Sequence, residues 1–487
     1  MGGKIDRRQF LAASAGGAGA MLFGGQLVNA IEAEGTAWPP ELPDVKIHRV
    51  YVGATNRIYL SRPSAEIDMY ERHLSRLERK LSGVKFVGGE HVYSPDAAAK
   101  VAADLGKADG VLIFHLCFNA RGMVKQLVDA GLPTVLFRPP LSGHDWMYFT
   151  GWQQAGLKVL PLSCSKLERL DRAVRLLSVP ARMRQSRVVL VGDPQGTKAA
   201  CSAEKVNEKI GSTVIPFDLS KFRAVYKSIG DESAQALANT WIRQAKKVAE
   251  PSKQDIVKAC RVYLTMKEIL KRQKARAITI NCLGQFPLRE LGHPCLGFSR
   301  LNDEGLVGAC EADMDSTLTM LMFGYAFGVP GFISDPDVDM SRNSLIHFHC
   351  TSALRMDGPE GRPLPYTIRN HADSGTGAAL QVEHRVGQTV TCAKLVNLDT
   401  MLVSTGRTVT PRVYDEVACR TQFETEVADV RKMFRNWGCG LVKGGMMTLL
   451  HRDVFYGEYL DDIKDLGVLM GLRVVEEGQC ANAAGAV

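Results

Sequence analysis

Val111-Leu112-Ile113-Phe114 and Thr134-Val135-Leu136-Phe137 are two uninterrupted apolar tetrads, with a helical stretch near Met123 to Val128 between them. A strand with one wet face alternates apolar and polar residues, whereas a strand that is apolar throughout is covered on both faces. A helix joining two such strands is the crossover of a parallel pair. The same order extends outward. Val50-Tyr51-Val52 precedes a helix in which Ile67, Tyr70, Leu74, Leu77 and Leu81 fall three and four apart, a single stripe to lay on a sheet. The apolar run from Val84 to Val87 and an Ala-rich helix from Pro95 to Leu105 complete the pattern between Lys46 and Pro139. Repeated strand–helix–strand order predicts a parallel sheet with helices on both sides.

A second unit of this kind follows the helix Lys166 to Leu177, with Arg187-Val188-Val189-Leu190-Val191-Gly192 as its first strand. The turn Gly192-Asp193-Pro194-Gln195-Gly196-Thr197 has glycines that suit a phosphate cradle. It lacks both the full G-x-G-x-x-G and the Walker lysine, so a simple strand-to-helix turn is expected. Helices at 232–248 and 254–272 lead to the returning strand Ala277-Ile278-Thr279-Ile280-Asn281. After Cys282, Gly, Pro, His and acids accumulate, and after His371 the chain reads as strands and turns, among them Gln388 to Leu395 and Thr400 to Ser404. The fold class expected is α/β: two Rossmann-like α/β units, at 46–165 and 166–365, followed by a β-rich, barrel-like unit at 366–475. The second unit carries most of the candidate site acids.

The first thirty residues read differently. Asp6-Arg7-Arg8-Gln9-Phe10-Leu11 is followed by an uncharged Ala/Gly-rich stretch ending Val28-Asn29-Ala30. This pattern predicts a twin-arginine export signal cleaved after Ala30 rather than a permanent span. Its expected partner is the twin-arginine machinery, which carries chains already folded, and the expected location is periplasmic. No later segment has the ~18 continuous apolar residues of a membrane helix. Net charge is +8, of which the first thirty residues hold +2. The remaining basic residues are scattered among acids rather than clustered with aromatics, which argues against a nucleic-acid partner. The twelve cysteines include no C-x-x-C pair, and Cys117, Cys282 and Cys310 sit in surroundings of small buried hydrophobes. Neither a structural zinc cluster nor a fold dependent on disulfides is expected.

Chemistry concentrates further on. Gly308-Ala309-Cys310-Glu311-Ala312-Asp313-Met314-Asp315-Ser316-Thr317 places carboxylates at every second position before an apolar helix from Leu318 to Phe327. Capping of that helix accounts for Asp315. Glu311 looks instead like a strand-end residue facing a cavity. Gly331-Phe332-Ile333-Ser334-Asp335 repeats the theme of an apolar strand ending in an acid, and Ser344-Leu345-Ile346-His347-Phe348-His349-Cys350 is a strand bearing two histidines. Alternation points His347 and His349 to one face. The apolar run from Met446 to Leu450 reads as a strand leading to His451. Carboxylates with imidazoles suit Mn²⁺, Mg²⁺, Fe²⁺ or Co²⁺ better than a thiolate-seeking ion.

In this order, Cys310-Glu311-Ala312-Asp313 before a helix, Asp335 at a strand end, His349-Cys350 and the late His451 resemble the metal-site blocks of the L-fucose isomerase/L-arabinose isomerase superfamily. The resemblance covers nearly all of the chain after the signal. It implies that Glu311 and Asp335 are both metal ligands and the acid/base pair, and that His451 is the imidazole ligand. His349 is implied as either a further ligand or a substrate contact, with His347 the runner-up for that contact. His371 is implied as a residue reaching the pocket, against the competing reading of an exposed turn. The implied cofactor is a divalent metal, Mn²⁺ first and Mg²⁺, Co²⁺ or Fe²⁺ after it, and the implied partner a small sugar or sugar derivative. The implied reaction interconverts aldose and ketose: the metal chelates adjacent sugar oxygens and stabilises the enediolate while the carboxylates move protons. A homo-oligomer, trimer or hexamer, is implied too. Export departs from that family's well-known intracellular isomerases. It leaves open a periplasmic hydrolase, lyase or epimerase acting on a glycoside or oxidised sugar, and a non-catalytic periplasmic sugar-binding protein. The last would have no need of Glu311, Asp335 and His451 together.

Overall fold

The computed structural model describes residues 38–53, 63–118, 120–411, 418–443 and 445–479. The predicted export signal lies outside the described residues. Strands β1 (Val45–Val52), β2 (Val84–Val92), β3 (Gly110–His115), β4 (Thr134–Arg138) and β5 (Val159–Ser163) form one parallel sheet in the order 2-1-3-4-5. Every residue of β3 and β4 is buried, as their unbroken apolar sequences require. Side-chain alternation divides the sheet between two cores. Leu112, Phe114, Val135 and Phe137 pack with Tyr70, Leu74 and Leu77 of the helix Pro63–Lys80, while Val111, Ile113 and Leu136 pack with Ala98, Met123, Val124 and Leu127 on the other face. Tyr70 lies 4.4 Å from Phe114, ring centre to ring centre, where the apolar stripe meets the sheet.

The helix Glu168–Arg184 is buried over most of its length because it packs between this sheet and the helices Met314–Phe327 and Leu460–Met470. Beyond it a second parallel sheet is built from β6 (Arg187–Val191), β7 (Thr213–Pro216) and, after the two-residue β8 (Lys247–Val248), β9 (Ala277–Ile280) and β10 (Val307–Ala309), in the order 10-9-6-7. The helix Met314–Phe327 is apolar around almost its whole circumference, the signature of a fully enclosed helix. It touches β9 and β10 on one side and the C-terminal strands on the other.

The remaining strands are β11 (Phe332–Asp339), β12 (Ser344–His349), β13 (Tyr366–Arg369), β14 (Ala379–Val382), β15 (Thr389–Val396), β16 (Thr400–Val409), β17 (Thr421–Val427), β18 (Arg452–Tyr456) and β19 (Arg473–Glu476). Antiparallel pairing runs 15-18-11-12-17-16, and β16 pairs again with β15. The six strands therefore close into a barrel, which removes their exposed edges. β19 joins outside β16 in parallel, and β13 with β14 forms a small sheet on β8. The fold is thus α/β with a strand-rich, barrel-like C-terminal region. β11 and β12 precede residue 366 and still belong to the barrel. Among the described residues no helix is long and apolar enough to cross a membrane.

Several polar groups are enclosed with the apolar ones. Arg452 and Glu477, each 1% exposed, form a two-pronged ion pair, Nη2–Oε1 2.6 Å and Nε–Oε2 3.0 Å. Arg452→Met strands the Glu477 carboxylate in the core and is expected to cost about 3–5 kcal/mol in chemical denaturation. Arg385→Met breaks a half-exposed pair with Asp357 and should cost under about 1 kcal/mol. Burial pushes the His384 imidazole down to about 3, so it stays neutral in the fold while the unfolded chain takes up a proton below about pH 6.5. Stability therefore falls as pH drops from 6.5 towards 3, and His384→Gln should flatten that part of the stability–pH curve.

Candidate metal centre

The site lies where the second parallel sheet meets the barrel, and four elements contribute to it. Glu311 follows β10, Asp335 is on β11, His349 ends β12 and His451 immediately precedes β18. Glu311 and Ala312 both hold left-handed backbone, φ +59° and +55°, a conformation disfavoured for residues with a Cβ. Three backbone bonds keep them there. Ala312 N–H donates to Ile280 O (3.0 Å), Gln195 N–H to Ala312 O (2.9 Å) and Met314 N–H to Gln195 O (3.0 Å).

The glycine turn at 192–197 thus serves the protein itself, as expected of a simple strand-to-helix turn. Thr197 donates to Asp315 through its N–H (2.5 Å) and its hydroxyl (2.8 Å). Gly196 sits at φ +117° with the Asp315 carboxylate where a Cβ would stand, so a larger residue would displace that acid. The cap expected of Asp315 is made by Asp313 instead, whose Oδ1 accepts from Ser316 N at 2.9 Å. The reason is that the helix begins at Met314, a full turn before Leu318. Asp315 is consumed by Thr197, and burial raises its carboxyl to about 7.

Another expectation needs correcting near His451. Met446–Leu449 is a tight 3₁₀ turn rather than a strand, entered through Gly445 at φ +52°, and the strand starts after the histidine. Arg452 fixes this approach by donating from Nη1 to His451 O at 2.9 Å while its other nitrogens hold Glu477.

The candidate site atoms converge closely. His451 Nε2 lies 3.2 Å from Asp335 Oδ1 and 3.5 Å from Glu311 Oε2, and His349 Nε2 lies 3.5 Å from Glu311 Oε1. Asp335, His349 and His451 each offer a ligand atom within 4.8 Å of the other two. Asp335 Oδ1, His349 Nε2 and His451 Nε2 are buried without a hydrogen-bond partner. Buried polar atoms are rarely left so, and three aimed at one point call for a shared partner. Donors each about 2.1 Å from one ion stand roughly 3 Å apart, and His451 Nε2, with Asp335 Oδ1 at 3.2 Å and Glu311 Oε2 at 3.5 Å, fits such spacing around a small divalent cation.

Electrostatics agree. Burial alone would push both imidazoles down, yet Asp313 and Asp335 raise His451 to about 10, and Glu311 with Asp335 raises His349 to about 9. Burial opposes ionisation of Glu311 and Asp335 as well. The neighbouring imidazoles outweigh it and hold both carboxyls below their usual range. A potential negative enough to draw protons onto buried imidazoles also draws a cation.

The two histidines differ in their second nitrogen. His451 Nδ1 bonds Asp313 Oδ2 at 2.8 Å; a carboxylate only accepts, so Nδ1 carries the proton and, in the neutral ring, Nε2 presents a lone pair. His349 Nδ1 accepts from the Cys350 N–H at 2.9 Å, so in the neutral ring the proton is on Nε2. His451 is arranged as a ligand, and His349 as a donor to whatever oxygen occupies the site. His347 points elsewhere. It is fully buried, its nitrogens are taken by Ser334 Oγ (3.1 Å) and Thr425 Oγ1 (2.8 Å), and its ring stacks on Phe423, which leaves none for a substrate. His371 is also buried, 5.2 Å from the His293 ring, with Ser374 beside its Nδ1.

Sequence reasoning missed Lys394. Its ammonium is fully buried, 2.5 Å from Asp313 Oδ2 and 3.2 Å from Ser316 Oγ, and with His451 it holds the Asp313 carboxyl far below the usual range despite burial. The clue was present, since a lone lysine inside the apolar strand β15 must find an anion if it points inward. Asp453 was not singled out either. Both its oxygens lack a partner, and burial pushes it up to about 8, which removes its charge at neutral pH.

No family model matches the chain. It is similar to the sulfoquinovose isomerase of Priestia aryabhattai, 24% identical over 194 residues, which cover 38% of this chain and 42% of that enzyme. A sulfoquinovose isomerase of Clostridium sp. (strain MSTE9) is 30% identical over 95 residues, 19% of this chain and 21% of the enzyme. The matched stretches span less than half the length of these relatives. Of solved structures, an arabinose binding protein from Geobacillus stearothermophilus aligns over 58% of this chain and 88% of its own at 14% identity, with a TM-score of 0.16.

If the centre takes a divalent cation, Asp313→Asn should weaken it by about 10–100-fold, because the amide no longer draws the Nδ1 proton as a carboxylate does. Calorimetric titration of Mn²⁺ into chelator-stripped protein measures this. An unchanged affinity would show that the bond does not tune the ligand.

Proposed function

We propose that this chain is a metal-dependent sugar isomerase, acting on an open-chain aldose or ketose, or an acidic derivative of one, through Glu311 and Asp335. The observation that carries this reading is the convergence of Asp335 Oδ1, His349 Nε2 and His451 Nε2, all buried and without partners, beside the Glu311 carboxylate. The partial similarity to sulfoquinovose isomerases supports the reaction class and makes a sugar derivative a reasonable substrate.

Glu311, Asp335 and His451 would hold the cation. Bound there, Mn²⁺ or a similar ion supplies Lewis-acid polarisation of adjacent sugar oxygens. The rest falls to the chain's own groups. Glu311 and Asp335 are held ionised, as proton acceptors must be, and stand 3.5 and 3.2 Å from the His451 ring nitrogen. One carboxylate takes the proton from the carbon beside the carbonyl and returns it to the neighbouring carbon, while the other manages the hydroxyl proton. His349, with a proton on Nε2, donates to a substrate oxygen. The strained backbone at Glu311 fixes its carboxylate before substrate arrives. We further propose export by the twin-arginine route and assembly as a homo-oligomer.

Elemental analysis of the protein lacking residues 1–30 tests the metal. About one equivalent of Mn, Co, Fe or Mg should be found, and Glu311→Ala should lose it. Incubation with aldoses, ketoses and their sulfonated or oxidised derivatives in D₂O should incorporate solvent deuterium beside the carbonyl of the true substrate. In Glu311→Gln incorporation should fall at least about 10²-fold, the usual scale of acid–base catalysis. No metal in the wild type after reconstitution would sink this function and leave a non-catalytic sugar-binding role.

A further inference from the structure

Behind Glu311 lies a pair of thiols that the proposed chemistry does not use. Cys282, just after β9, and Cys310, just after β10, are 4% and 3% exposed, with their sulfurs 3.3 Å apart. Cys310 Sγ also lies within 4.8 Å of a Glu311 carboxylate oxygen and a His349 ring nitrogen, so its sulfur faces the metal pocket. We propose that Cys282 and Cys310 are a redox pair, and that their oxidation to a disulfide withdraws Glu311 from the metal centre. The inference rests on the metal-centre reading above and concerns the regulation of that same site.

A disulfide bond is about 2.05 Å long, so closing it from 3.3 Å requires roughly 1 Å of movement. The two sides of the pair differ in what they adjoin. The turn carrying Cys282 is fastened by Asn281, whose carbonyl accepts from Gln285 and Phe286 N–H and whose side chain accepts from Gly284 N–H. Cys310 leads straight into Glu311 and Ala312, both in left-handed backbone and held there by the bonds to Ile280 and Gln195. Whatever part of the movement Cys310 takes is passed through one peptide bond to Glu311, whose left-handed backbone has little freedom to absorb it without shifting the carboxylate. The oxidant class is a peroxide. One sulfur, as thiolate, attacks the O–O bond and becomes a sulfenic acid as one water leaves. The second sulfur then displaces that oxygen as a second water, so two thiols and one peroxide give one disulfide and two waters.

The test uses full-length protein stripped of metal, exposed to hydrogen peroxide, freed of it, and titrated with Mn²⁺ beside a reduced sample. Non-reduced peptide mapping by mass spectrometry should find Cys282 joined to Cys310. Mn²⁺ affinity should fall about tenfold or more, the scale of losing support for a ligand, and dithiothreitol should restore it. Cys282→Ala, or Cys282→Ser if the first does not fold, should form no such link and keep its Mn²⁺ affinity after peroxide. The proposal is overturned by a linked protein with unchanged affinity, by an equal loss in the Cys282 variant, or by links between other cysteines in place of this one. Failure of the reduced protein to take up Mn²⁺ would overturn the metal reading itself, and the switch with it, whatever the peptide map shows.

Discussion

One carboxylate joins the parts of this protein. Asp313 caps the central helix through Ser316 N, accepts from Lys394 of the barrel and holds the Nδ1 proton of His451. It is almost wholly buried, and its charge is tolerable only because a buried ammonium and an imidazole surround it. The last two of these bonds tie β15 and the approach to β18 to the start of the same helix. Remove the charge and the ammonium in the barrel is left unpaired, the helix loses its cap, and the histidine loses its reason to present Nε2 to the pocket.

This arrangement explains why the atoms of the candidate site can remain unsatisfied. Close-packed protein seldom leaves buried nitrogen and oxygen without partners, because each such group costs about 1–3 kcal/mol. Here the surrounding structure over-determines their positions. Arg452 with Glu477 anchors the His451 carbonyl, the glycine turn at 192–197 pins the strained Glu311 turn from behind, and antiparallel pairing sets Asp335 opposite Phe348 and next to His349. The rigidity sits in parts that do no chemistry themselves. A site built at the end of a parallel sheet and closed by a barrel also draws on two kinds of precision: strand ends that project side chains outward, and a closed ladder of hydrogen bonds whose register cannot slip without losing every pair.

The doubly wound sheet was legible because burial on both faces leaves an uninterrupted apolar signature, as at 111–114 and 134–137. So was the location of the site, since acids and histidines at strand ends stand out against apolar runs. What sequence by itself determined was therefore periodicity, the α/β class, and which residue types were available for a cation. It did not determine the ends of the central helix, because Asp313 and Asp315 are equally good caps in isolation and only the Thr197 contact removes one of them. Nor did it separate His347 from His349. Alternation put both on one face, but the barrel's closure set Thr425 and Ser334 against one ring and left Nε2 of the other open beside Glu311. Lys394, Asp313 and His451 are far apart along the chain, and their bonding is a fact of three-dimensional packing alone. Local spacing fixes local structure; which buried charges meet is decided only when the sheet, the helix and the barrel close on one another, because only then is water excluded and each charge forced to find its partner.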